Sequence, residues 1–351
     1  MTTVDELFAA AAADVATGEV PACQVAVARD GQVVAFETFG DATDETRFCI
    51  FSATKPIVSS VVWMLIADGL LDVARPVREY VPELADAMGA VTVEQVLLHT
   101  SGFPSAPMGE AEGADPFRRR ARFATWRLEW EPGTRFEYHA TSAHWVLADV
   151  VQRLTGSDPR DVVEQRLCAP LGLPRALGIP DEQQHGLASL VPVDDAAASD
   201  VGMRLNDPEA RAAGVPGGGA FMTAAELARF YQALLQDDQH LWDPDVLADA
   251  TSNVRCTFDD PLMGVPVNRT LGLVVAGDDG LHVLRYAIFG EHCSPRAFGH
   301  AGAHAQVGWA DPATGISFAY LNNAVTSDML RAGIRANRLA SIASALDRPS
   351  T

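Results

Sequence analysis

The chain has 351 residues, with 26 lysines and arginines against 46 acidic residues, giving a net charge of −20 at pH 7. That charge argues against binding a nucleic acid backbone or an anionic membrane, because both would repel it. At 48% hydrophobic and 21% charged residues the composition is globular, not disordered or fibrous, and the length fits one large domain or two interleaved lobes. Lys55 is the single lysine among the 26 cationic residues.

In chain order, residues 3–17 predict an alanine-rich helix stopped by Gly18. No Lys or Arg precedes Arg29, so this stretch lacks the basic region of a secretory signal. Residues 23–40 hold two β-rich runs separated by Arg29-Asp30-Gly31, a hairpin signal. From Ser52 to about Ala67 the pattern is helical and strongly apolar, as a buried helix requires. Its longest apolar stretch is interrupted by Ser59 and Ser60 and is too short to span a bilayer. The middle third predicts helices within residues 91–102, 116–130, 141–156 and 158–174, broken by proline and glycine. The run Arg118-Arg119-Arg120 reads as a solvated helix face.

After the glycine-rich segment 215–221, a further helix is opened by the N-cap candidate Thr223. Strands are predicted within residues 270–277, 281–290, 305–310 and 316–323, followed by a closing helix over 327–346. The order suggests an α+β fold: an antiparallel sheet built from both chain ends and flanked by helices, with a helical lobe inserted. The lobes are expected at about 1–60 with 220–351 (sheet) and about 61–219 (helical), within one catalytic domain spanning 1–351. Cys23, Cys49, Cys168, Cys256 and Cys293 form no CxxC pair and read as reduced thiols of a cytoplasmic protein.

Lys55 follows Ser52 by three positions, and Pro56 is tolerated only in a first helical turn, which pins a helix start near Ser52. Residues i and i+3 then share a face, and the helix N-terminus favours a developing oxyanion near Ser52. A serine hydroxyl needs a base to become a nucleophile. A buried lysine can serve, whereas arginine keeps its proton. Taken alone, Ser-x-x-Lys also fits a structural lysine.

Ser52-Ala53-Thr54-Lys55 at the start of an apolar helix resembles the motif of the serine β-lactamase and penicillin-binding-protein superfamily. Residues 97–102 (LLHTSG), 131–138 (EPGTRFEY), 154–156 (LTG) and 299–302 (GHAG) resemble segments of its class C-like branch, which includes family VIII carboxylesterases. The resemblance implies a β-lactamase/transpeptidase-like fold. It also implies Ser52 as the nucleophile forming an acyl-enzyme, with Lys55 sharing its proton. Tyr138 would be the general base and then the acid, its phenol lowered by the adjacent ammonium. The oxyanion hole would use the N–H groups of Ser52 and Ala303. His300 and Gly302 would border the substrate, Gly302 by keeping a side chain out of its way.

Two departures bear on substrate. Ala140 stands where the family has the asparagine of Tyr-x-Asn, and His300 stands where β-lactamases have the lysine of Lys-Thr-Gly. Both changes point away from β-lactams and towards uncharged esters, so a carboxylesterase on small or medium acyl esters is expected. A D-aminopeptidase or amidase, a weak β-lactamase and an acyltransferase are the alternatives, and a catalytically silent ligand-binding homologue is the alternative of another class. The partner is then a small-molecule ester or amide, with no cofactor, metal, nucleic acid or membrane. No Gly-x-Ser-x-Gly occurs. His300 and His304 have a metal-ligand spacing, but the glycines at 299 and 302 argue against the helix it requires. His99, His139 and His144 read as structural, as do Tyr80, Tyr231, Tyr286 and Tyr320. Trp126, Trp130 and Trp145 read as core, and Gly217-Gly218-Gly219 as a loop bordering the cleft.

Overall fold

The structure, a computed structural model, describes residues 2–84 and 88–346. Helix α1 (Val4–Ala16) opens with a capping box between Thr3 and Glu6. Strands β1 (Ala22–Arg29) and β2 (Gln32–Gly40) follow, joined at Asp30 and Gly31. Both turn residues have positive φ, 50° and 74°, the primed turn whose twist matches that of the strands. Near the other end of the chain lie β3 (Val274–Val275), β4 (Phe298–Gly302), β5 (Gln306–Asp311) and β6 (Ile316–Asn322). The six strands form one sheet in the order β2-β1-β6-β5-β4-β3. Every neighbouring pair is antiparallel, so the two ends of the chain meet where β1 pairs with β6.

Both faces of this sheet are covered. Ala22, Ala26 and Ala28 of β1 belong to the larger core, shared with α2 (Thr54–Ala67), α3 (Ser142–Thr155) and α4 (Ala224–Gln236). The alternate residues Cys23, Val25 and Val27 face a second core against α1 and α5 (Met329–Ser344). Period-2 alternation therefore divides one apolar strand between two layers. Thr223 caps α4 in a capping box with Glu226, as its sequence predicts. Helix α2 is buried along almost its whole length and packs against α3.

The structure differs from the sequence-based expectations at residues 281–290, at residues 270–277 and in the arginine run. Residues 281–290 are not a strand. His282–Leu284 form a 3-10 turn, and Tyr286 and Ala287 both take φ 54°, which no strand accommodates. The buried Arg285 side chain holds this path by donating from Nε to the Pro266 carbonyl at 2.8 Å and by pairing with Asp279. Of residues 270–277 only Val274–Val275 are ladder-paired, and the sheet place next to β5 goes to Phe298–Gly302. Nor is the arginine run wholly solvated. Arg119 is buried because Asp149 of α3, itself fully buried, accepts from its Nε at 3.0 Å and its Nη2 at 2.8 Å.

Arg120 and Arg153 also donate to Asp149, at 3.1 and 2.8 Å. Breaking such a buried ion cluster from one side strands the remaining charges. Asp149→Ala is expected to lose about 3–5 kcal/mol of stability in urea denaturation; a loss below about 1 kcal/mol, the scale of an exposed pair, would show the cluster to be dispensable.

Candidate active site

Residues Phe48–Cys49 pair with Phe221–Met222, and Ile50 N donates to Ala220 O at 3.0 Å, which anchors the chain entering the site. Phe51 then takes φ 44° and leads through a 3-10 turn, Phe51–Ala53, directly into α2. A left-handed non-glycine residue costs about 1–3 kcal/mol. The Phe51 ring is fixed edge-on against His304 at 5.2 Å, and a Cβ at Gly202 would come within 2.8 Å of that ring. Ser52 therefore stands at the start of a buried helix, as the position of Pro56 predicts, with its side chain partly open.

Lys55 is completely buried. Its Nζ lies 2.7 Å from Ala140 O, 2.7 Å from Gly217 O and 3.1 Å from Ser52 Oγ. Carbonyl oxygens only accept, so two N–H groups are committed to them. In the neutral amine the remaining lone pair then faces the Ser52 hydroxyl, ready to accept its proton. Burial, reinforced by the positive charge of Arg269, drives the Lys55 pKa well below the ordinary lysine value. Gly217 is what lets the two carbonyls converge, since a Cβ there would come 2.9 Å from Ala140 O. The glycine loop borders the site as expected, and Ala140 contributes its backbone.

Tyr138 also lines the cleft, with its ring centroid 4.8 Å from Lys55 Nζ. Burial pushes its phenol up to about 12, while the Arg269 charge and a hydrogen bond with Ser52 pull the other way. At neutral pH it is a phenol and not a phenolate, the reverse of an ammonium-lowered tyrosine. The cation next to it is one that sequence reasoning missed. Arg269 is fully buried, its guanidinium 5.3 Å from the Tyr138 and Tyr286 ring centroids and 5.4 Å from that of Phe136. No local motif surrounds this residue; only its contacts across the chain reveal it. Tyr286, read from sequence as structural, lines the cleft as well and donates to Asp260 Oδ2 at 2.8 Å.

His99 stacks on Tyr138 at 4.7 Å, and its Nδ1 accepts from His139 N. His139 accepts at Nε2 from Phe103 N, with Ser101 Oγ 3.0 Å away, while its Nδ1 sits 2.6 Å from Glu137 O. These histidines tie the Tyr138 loop to residues 99–103. His144 is buried beside them. Trp126 and Trp145 belong to the core and do not line the cleft.

On the opposite wall, His300 places Nδ1 2.6 Å from Ala301 O, which fixes the proton there and leaves Nε2 as an acceptor. Burial, reinforced by the Arg269 charge, holds it well below the usual imidazole range, so it is neutral. A Cβ at Gly302 would overlap the Ile50 carbonyl oxygen. Glycine is thus required by the close approach of β4 to the chain just ahead of Ser52. Ala303 follows at the cleft wall. His304 turns to Asp200 at 3.7 Å and accepts from Thr326 N. Among the described residues no group of three or more His, Cys, Asp or Glu could hold a metal ion, and no helix is long and apolar enough to cross a membrane.

The family model described as Beta-lactamase matches residues 5–341. The chain is 27% identical over 319 residues to the Esterase/beta-lactamase LipL of Mycobacterium tuberculosis (strain ATCC 25618 / H37Rv), covering 80% of this chain and 70% of that protein. It is 31% identical over 246 residues to Esterase EstB of Burkholderia gladioli, covering 59% of this chain and 61% of that protein. The crystal structure of a family VIII carboxylesterase superposes with a TM-score of 0.81 at 25% identity, covering 96% of each chain. With the sheet, the Ser-x-x-Lys turn and the tyrosine in one cleft, and the family match running almost from end to end, the chain belongs to the beta-lactamase family.

Proposed function

We propose that the protein is a serine carboxylesterase that works through an acyl-enzyme on Ser52. The observation that carries this reading is the Lys55 amine, whose two carbonyl contacts leave a lone pair for the Ser52 proton. Ser52 Oγ bonds to the ester carbonyl carbon as its proton passes to Lys55 Nζ. The N–H groups of Ser52 and Ala303 receive the oxyanion. The carbon–oxygen bond to the alcohol then breaks, and Tyr138 gives the leaving oxygen a proton that Lys55 replaces. Water repeats the sequence on the acyl-enzyme and releases the acid. Arg269 sits where it offsets the negative charge that builds on Tyr138 during transfer, and its presence opposes protonation of Lys55.

A neutral substrate fits the electrostatics. His300 carries no charge with which to hold a carboxylate, and the Arg269 guanidinium is fully buried among aromatic rings. The esterase names of LipL and EstB support the same choice. We read the chain as one catalytic domain with the site between a sheet lobe and a helical lobe, and its five buried cysteine thiols support a reducing, cytoplasmic setting.

A fluorophosphonate is expected to leave one adduct, on Ser52, by mass spectrometry, and p-nitrophenyl butyrate to be turned over faster than a chromogenic cephalosporin. An unlabelled protein would favour a silent homologue, and faster cephalosporin turnover would overturn the esterase assignment. Lys55→Arg retains a cation but no lone pair and is expected to lower kcat/KM by roughly 10²–10⁴-fold; a near-wild-type value would remove Lys55 from the chemistry.

Activity requires neutral Lys55 and protonated Tyr138. It should therefore fall as the pH drops through the lowered Lys55 pKa, and fall again as the pH rises towards about 12. Arg269→Met removes a charge that lowers both groups, so both limbs of the kcat/KM profile are expected to move to higher pH. An unmoved acid limb would rule out Arg269 as an electrostatic partner of Lys55.

A further inference from the structure

From Ser52 and Tyr138 a cleft of about 920 Å³ extends between the β4–β5 turn and helix α5, with residues 283–291 along its other side. Its walls include Val283, Leu284, Met329, Leu330, Ile334 and Ile342. Several apolar side chains at this cleft are strongly exposed: Leu262 at 87%, Leu330 at 76% and Ile334 at 63%. A contiguous apolar surface on a chain of net charge −20 marks a binding site more readily than a solvated face. The charged residues of the lining are Glu291 and Arg338. Arg338 is held by Asp14 at 2.5 Å, and Glu291 N donates to Ser341 Oγ at 3.1 Å, so Arg338 lies within the C-terminal half of α5 and Glu291 against it.

The stretch of α5 from Met329 to Ile342 gives the cleft a wall about 20 Å long, at 1.5 Å per residue. That is the reach of an extended long alkyl chain, and a butyryl group would occupy only the part nearest Ser52. We propose that the cleft holds a long unbranched hydrocarbon chain of the substrate, so that the enzyme acts best on neutral esters bearing such a chain. This rests on the esterase reading of Ser52 and adds the substrate class. The chain could enter on the acyl side or on the alcohol side; the hydrocarbon chemistry of the cleft is the same for both.

Two ester series at concentrations below micelle formation separate the sides: p-nitrophenyl esters from acetate to dodecanoate, and alkyl acetates from ethyl to dodecyl. In one of them kcat/KM is expected to climb up to about fourfold per added methylene, equivalent to about 0.8 kcal/mol each. Ile334→Glu places a charge in an exposed wall position, where the fold tolerates it, and is expected to cut the ratio of dodecyl-chain to short-chain kcat/KM at least tenfold. Flat or falling profiles in both series, with acetate still hydrolysed, would overturn the proposal. Calorimetric titration of the Ser52→Ala protein with decyl acetate reads the cleft independently of turnover. Saturable binding tighter than that of ethyl acetate supports the cleft assignment even if the wild type hydrolyses no ester, which would defeat the esterase reading alone. Binding no tighter than that of ethyl acetate would overturn the cleft assignment.

Discussion

The site depends on a buried lysine amine that, among the described residues, has no carboxylate beside it to balance a third proton. Ala140 O, Gly217 O and Ser52 Oγ could together satisfy an ammonium. The charge itself, however, would sit fully desolvated and close to the permanently charged Arg269. The neutral amine is therefore favoured, and its two fixed N–H contacts aim the lone pair. The same desolvation acts on Tyr138 with the opposite consequence, since burial favours the uncharged form of both groups: an amine able to take a proton and a phenol able to give one. In the proposed mechanism, base and acid are thus separated by chemistry and not by different environments.

Much of the surrounding fold can be understood as what holds this arrangement still. Gly217 allows the loop after residue 214 to approach Ala140 so that both carbonyls reach one nitrogen. Phe51, held in a left-handed conformation, turns Ser52 out of a short pairing with Phe221–Met222 and into the helix that carries Lys55. Gly302 lets strand β4 lie against the Ile50 carbonyl, which brings Ala303 to the same cleft. On the helical side, Asp149 gathers Arg119, Arg120 and Arg153 and ties α3, the helix that follows Ala140, to the helix at Pro116–Phe123.

The hairpin, α1, α2, α4 and the last two strands were legible because each has a local signature: a primed turn, a capping residue, a proline near a helix start, or a run of apolar residues. Ser52, Lys55 and Tyr138 were legible by spacing and resemblance; Ser52 and Tyr138 line the cleft, and Lys55 is buried beside both. Residues 281–290 were misread because VLRYAIF has strand composition, whereas the outcome is set by the tertiary contacts of Arg285 with Pro266 and Asp279. Arg119 was misread for the same reason, its partner lying 30 residues away. Arg269 and Tyr286 carry no motif at all. Their place comes from the packing of three aromatic rings around one guanidinium, which no local pattern encodes.

Because Lys55 is the only lysine, protein grown with lysine labelled by ¹³C at Cε yields one side-chain lysine resonance. Its chemical shift followed against pH reports directly whether the amine beside Ser52 is neutral. The resonance is expected to titrate well below 10.5, the ordinary lysine value, and to move upward in Arg269→Met. A resonance that titrates at about 10.5 or above would mean that Lys55 is an ammonium throughout the working range and cannot be the base that activates Ser52.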